Sequence, residues 1–94
     1  MQDELVTIAR YYGYESQSRQ LIEEMAELIQ AINKRWREED EIKQAVATYH
    51  VVEEIADVEV CLEQIKWLLD CNDAVEYFKE EKIKRQLERM KNNE

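Results

Sequence analysis

The chain has 94 residues, 13 basic and 22 acidic, with a formal net charge of −9. That charge opposes binding to a nucleic-acid backbone or an anionic membrane surface. No apolar run approaches the roughly 18 residues that span a bilayer, and the opening MQDELVTIAR lacks the form of a signal peptide.

With no Pro, one Gly and abundant Glu, Lys, Leu, Ala, Gln and Ile, the composition predicts a single all-α domain over residues 1–94. A chain this short buries only about 60–65% of its unfolded surface, so self-association into a dimer or tetramer is expected. Cys61 and Cys71 match neither a disulfide framework nor a metal-ligand spacing, which points to reduced thiols in the cytoplasm.

Four helices are expected. The first covers residues 3 to 12, where Leu5, Ile8, Ala9 and Tyr12 recur at helical spacing and Gly13 provides a left-handed C-terminal cap. Residues 14 to 18 form the connection, with Ser16 or Ser18 capping a second helix that runs to about Arg37. Its apolar stripe is Leu21, Met25, Leu28, Ile29, Ile32 and Trp36.

REEDE, residues 37 to 41, is the polar break, and a long helix follows to about Leu69 with the stripe Val51, Ile55, Val58, Leu62, Ile65 and Leu69. DCND ends it, Asn72 or Asp73 caps a last helix to about Met90, and Asp73 with Glu76 has the form of a capping box.

Two segments share one pattern: LIEEMAEL at residues 21–28 and VVEEIADV at residues 51–58. At about 100° per residue from Leu21, Glu24 falls at about 300°, Glu27 at about 240° and Glu23 at about 200°, against a stripe centred at about 40°. Glu54 and Asp57 take the same phases in the second segment, and Glu53 lies outside.

The two inward pairs are equidistant from the middle of the break, so an antiparallel hairpin sets them level, about 22 Å from the bend. Four carboxylates facing one another repel, and a cation relieves the repulsion. An all-oxygen donor set suits Mg²⁺ or Mn²⁺ and leaves positions open for phosphate oxygens. The plainer account of acids beside an apolar stripe is a solvated helix flank.

At these residues the sequence resembles the short, single-domain members of the MazG-like all-α nucleoside triphosphate pyrophosphohydrolases, whose signature is EExxE followed by ExxD. Here that is Glu23-Glu24-Met25-Ala26-Glu27 and Glu54-Ile55-Ala56-Asp57, within QSRQLIEEMAELIQAINKR and HVVEEIADVEVCLEQIKWLL; the similarity covers about residues 11 to 90. The resemblance implies Mg²⁺-dependent hydrolysis of a nucleoside triphosphate to the monophosphate and pyrophosphate. It makes Glu24, Glu27, Glu54 and Asp57 the metal ligands, puts Glu23 just outside them to orient a ligand or water, and has neighbouring subunits complete the site.

A triphosphate also needs cationic contacts. Lys34 lies on the Glu27 side of its helix, about two turns on, and Lys82 and Arg85 are preferred among Lys79, Lys82, Arg85 and Arg89, which equally suit a solvated helix face. His50, one turn before Glu54, and Gln17 and Gln20, toward the start of the Glu24 edge, are candidates for substrate contacts or ordinary structural polarity. Trp36, Trp67 and the cluster Tyr11, Tyr12 and Tyr14 serve either packing or base stacking.

The rival expectation is a non-enzymatic acidic helical module that oligomerises through its stripes. A di-iron carboxylate bundle fits poorly, since it wants two Glu-x-x-His elements and His50 is the only histidine, with Ala47 three residues before it.

Overall fold

Residues 2–93 are described by a computed structural model, and among them three helices follow one another with no strand: α1 (Gln2–Arg37), α2 (Glu41–Leu68) and α3 (Asn72–Asn92). The expectation of a four-helix chain is wrong. Residues 3 to 12 are part of α1, because the connection foreseen at 14 to 18 is itself helical.

Only Gly13 leaves the helical conformation, at φ 83° and ψ 172°, and the helix resumes at once. That conformation is open essentially to glycine alone, so the chain bends there without a loop. The Ser18 hydroxyl donates to the Glu15 carbonyl and the Ser16 hydroxyl to the Gln17 side chain, so neither serine caps a helix start.

Between α1 and α2 the break is short. The Asp40 carboxylate accepts from the backbone N–H groups of Ile42 at 2.8 Å and Lys43 at 3.2 Å, fixing the start of α2. At the other end Cys71 N–H donates to the Lys66 carbonyl and Asp70 N–H to that of Trp67, with Asp70 at φ 51°. This is the Schellman closure, with an aspartate in the left-handed position that glycine usually takes. The helix therefore ends at DCND as expected, but Cys71, with no side-chain bond, stands at the N-cap of α3 where Asn72 or Asp73 was expected.

α1 and α2 form an antiparallel hairpin. Gln17 and Gln64, bonded at 2.6 Å, are equidistant from residue 40.5, the symmetry centre read from the repeated cassettes. The residues of α1 withdrawn from solvent run Gln17, Leu21, Glu24, Leu28, Ala31, and those of α2 run Ala47, Val51, Glu54, Val58, Cys61. Alternating steps of four and three residues define the seam of a two-helix coiled coil.

The seam takes only Leu21 and Leu28 from the apolar stripe of α1, and Val51 and Val58 with the neighbouring Ile65 from that of α2. It is centred at about 320° on each helix, and the stripes lie about 90° away in the same sense. Met25, Ile29, Ile32 and Trp36 of α1, with Val52, Ile55 and Leu62 of α2, stay 40–80% exposed. In an antiparallel pair, equal offsets in one sense fall on the same side of the hairpin, so one broad face of the hairpin is apolar. Glu27 and Asp57, offset by about 80° the other way, mark the opposite face.

α3 touches α2 only near their junction, does not touch α1, and buries no residue. Tyr77, Phe78, Ile83, Leu87 and Met90 are all more than half exposed. The Cα radius of gyration is 16.9 Å, against about 12 Å for a compact chain of this length. No described helix is long and apolar enough to cross a membrane.

Candidate metal centre

Glu24 and Glu54 occupy seam positions of the hairpin, where a coiled coil ordinarily places apolar side chains. The local sequence puts them there because Leu21, Leu28, Val51 and Val58 sit three or four residues away on the same line. Carboxylate oxygens of Glu24, Glu27 and Glu54 lie within 4.8 Å of one another. One oxygen of Glu24 and one of Glu54 are sealed from solvent without a hydrogen-bond partner.

The electrostatics record the conflict. Burial pushes the Glu24 carboxyl above its ordinary value; the bond from Gln20 opposes the shift, and repulsion from Asp57 and Glu27 adds to it. Burial also raises Glu54, followed by the charges of Glu27, Asp57 and Glu24. The Cys61 thiol, buried in the seam one turn from Asp57, is raised by burial first and then by Glu24 and Asp57. Four acids thus share one field, two from each helix.

The other expected site residues are placed as follows. Asp57 and Glu23 are exposed. Lys34 and His50 line a groove of about 500 Å³ between α1 and α2, which opens onto Glu27 and Glu54. His50 Nδ1 lies 3.5 Å from Glu53, the outward member of the second cassette. Gln17 is buried and donates to Gln64, so its amide is engaged within the hairpin. Lys82 and Arg85 sit on α3, which makes no contact with α1, and they are not brought to the acids within one chain.

Sequence reasoning passed over three neighbours of the cluster. Gln20, weighed for base or sugar contacts against ordinary polarity, donates to Glu24 at 2.7 Å, an i to i+4 bond that its spacing permits. Arg37 lines the Lys34 groove, three residues on and so on the same helix face. Cys61 is in the seam because it falls three residues after Val58.

The donor set fits a hard divalent cation. Glu24, Glu27 and Glu54 offer only carboxylate oxygens, two of them buried without partners, and come from both helices, whereas the expected ligand Asp57 is not among the carboxylates that converge within 4.8 Å. Comparison of the chain with protein-family models, with curated proteins and with solved structures finds no match in any of the three. These comparisons identify no family for the chain.

Proposed function

We propose that the chain is a Mg²⁺-dependent nucleoside triphosphate pyrophosphohydrolase of MazG-like type, with Mn²⁺ as an alternative metal. One observation carries the reading: two glutamates occupy the seam of a coiled-coil hairpin, each with a buried oxygen that no protein group satisfies. A carboxylate oxygen withdrawn from water without a partner is a cost to a small domain. A bound cation removes that cost.

In this reading Glu24, Glu27, Glu54 and Asp57 hold the metal. When bound, the metal supplies positive charge to the phosphate oxygens and so favours attack at phosphorus. Glu23, exposed beside the cluster, orients the attacking water. That water adds to the α-phosphorus, the bond to the oxygen bridging the α and β phosphorus atoms breaks, and pyrophosphate leaves.

The active form is a homodimer, or a tetramer built from dimers. The chain exposes 7970 Å², against about 5,800 Å² for a compact monomer of its mass. The excess is of the size that obligate partners cover. The apolar broad face is the surface to pair, which leaves the acidic face open to substrate.

The same exposed face supports a second reading, an acidic association module without catalysis. One experiment separates the two: a panel of nucleoside triphosphates, canonical and modified, incubated with the protein and Mg²⁺. The pyrophosphohydrolase reading expects monophosphate and pyrophosphate from at least one member, lost on chelation. Diphosphate and inorganic phosphate, or no turnover at all, would remove it.

A further inference from the structure

Two apolar surfaces of the chain are left without cover, and they belong to different parts of it. One is the broad face of the hairpin, with Met25, Ile29 and Ile32 on α1 and Val52, Ile55 and Leu62 on α2. The other is a line on α3, where Ile83, Leu87 and Met90 follow at steps of four and three and fall within about 60° of one another. All three are more than half exposed.

Within one chain the two surfaces are kept apart. Only Leu69, Asp70 and Cys71 join α2 to α3, and two bonds set the exit direction: Cys71 N–H to the Lys66 carbonyl at 3.0 Å and Asp70 N–H to the Trp67 carbonyl at 3.1 Å. The flank of α2 beside this turn is already taken, since the Arg10 guanidinium lies 5.4 Å from the centroid of the Trp67 ring. The molecule measures 43 × 38 × 21 Å. Two packed helices are no more than about 20 Å across, so α3, about 31 Å long, stands across the hairpin instead of lying along it.

A helix without a packed face is marginal in water, because most of its stability comes from burying an apolar side. The charge of α3 suits the surface that remains open. Residues 82–91 hold five basic side chains and one acidic, against seven basic and 16 acidic in residues 1–71. The chain exposes 7970 Å², about 2,000 Å² more than a compact monomer of its mass, which is enough for an obligate interface.

We propose that α3 is an exchange arm. Ile83, Leu87 and Met90 of one copy seat on the broad apolar face of a second copy's hairpin, and the α3 of that copy returns the contact. The occupant of the face is thus a third helix laid over α1 and α2, and not another hairpin. The assignment rests on the homodimer of the proposed function and not on its chemistry.

Complementation between two variants of the full chain tests it. Ile83→Glu/Leu87→Glu spoils the arm and leaves the seat, whereas Ile29→Glu/Ile55→Glu spoils the seat and leaves the arm. All four positions are exposed in the single chain, and circular dichroism with thermal melting checks that the α1–α2 hairpin still folds. Sedimentation should show wild type as a dimer and each variant alone as a monomer, with the dissociation constant raised about 100-fold or more. An equimolar mixture of the two variants, at raised concentration, should form a dimer with one chain of each, because one intact arm then meets one intact seat. An arm variant that stays dimeric means that hairpins pair face to face, which overturns the exchange and leaves the homodimer standing. A mixture that stays monomeric overturns it as well, and a monomeric wild type overturns both exchange and homodimer. With the expected pattern intact, absence of triphosphate turnover would defeat the hydrolase reading alone, so the failures are distinguishable.

Discussion

Glu54 places a carboxylate where it is costly to the fold. Its carboxylate lies in a seam that otherwise packs Leu21, Leu28, Val51 and Val58, an oxygen of it comes within 4.8 Å of Glu24 and Glu27, the charge of Asp57 acts on it, and one of its oxygens has no partner. Because the folded-state value is raised, protonation is favoured in the native state; the associated stability is present at low pH and is lost as pH rises through the raised value. Glu24 adds in the same sense. The metal-free protein should therefore melt at a higher temperature near pH 5 than at pH 7.5. Glu54→Gln should raise the melting temperature at pH 7.5 in EDTA and flatten the pH dependence. A lower melting temperature for that variant would mean that the carboxylate makes a favourable contact within the protein.

At the scale of elements, the hairpin is fixed by details that an apolar pattern does not carry. Gln17, in the seam, bonds the buried Gln64 at 2.6 Å, and a one-residue slip would separate them. Gln17→Leu should cost about 1–3 kcal/mol by leaving Gln64 unpaired, while Gln17→Leu with Gln64→Leu should recover most of that loss. Denaturant unfolding of both variants in EDTA checks the pair, and additive losses would deny the coupling.

The cassette symmetry about residue 40.5 was legible in the sequence because equal spacing on two helical segments survives folding into a hairpin. The phase of contact was not. Each helix offers two candidate stripes, and the one richer in Ile, Met and Trp suggests the internal contact, yet α1 and α2 meet on the line through Glu24 and Glu54. A single chain does not reveal which stripe meets its own neighbour and which meets another copy. Gly13 misled for a related reason. A glycine at positive φ ends many helices, but with no polar loop or proline after it, the helix restarted on the next residue.

The whole molecule is a two-faced hairpin with a third helix standing away from it. Its basic content was visible in the sequence: residues 72–92 hold six basic and five acidic side chains, whereas residues 1–71 hold seven basic and 16 acidic. That α3 finds no seat on its own hairpin depends on tertiary packing, which composition does not encode. The apolar face leads to a direct expectation. Sedimentation should show a dimer or larger assembly, and Ile29→Glu with Ile55→Glu should dissociate it, since charges on both helices of that face would be buried without partners. A monomeric wild type would remove the oligomer from the proposal.

The proposed cation site at the half-buried Glu24 and Glu54 is tested most directly by a magnesium-dependent melting curve. At pH 7.5, saturating Mg²⁺ should raise the wild-type melting temperature well above its value in EDTA. Ligand at 100 times its dissociation constant contributes about 2.7 kcal/mol, and each kcal/mol moves a domain of this size by about 4–8 °C. In Glu24→Gln/Glu54→Gln the metal-dependent rise should vanish, while the EDTA value should stand above that of wild type. Equal melting temperatures of the wild-type protein with and without Mg²⁺ would contradict the account.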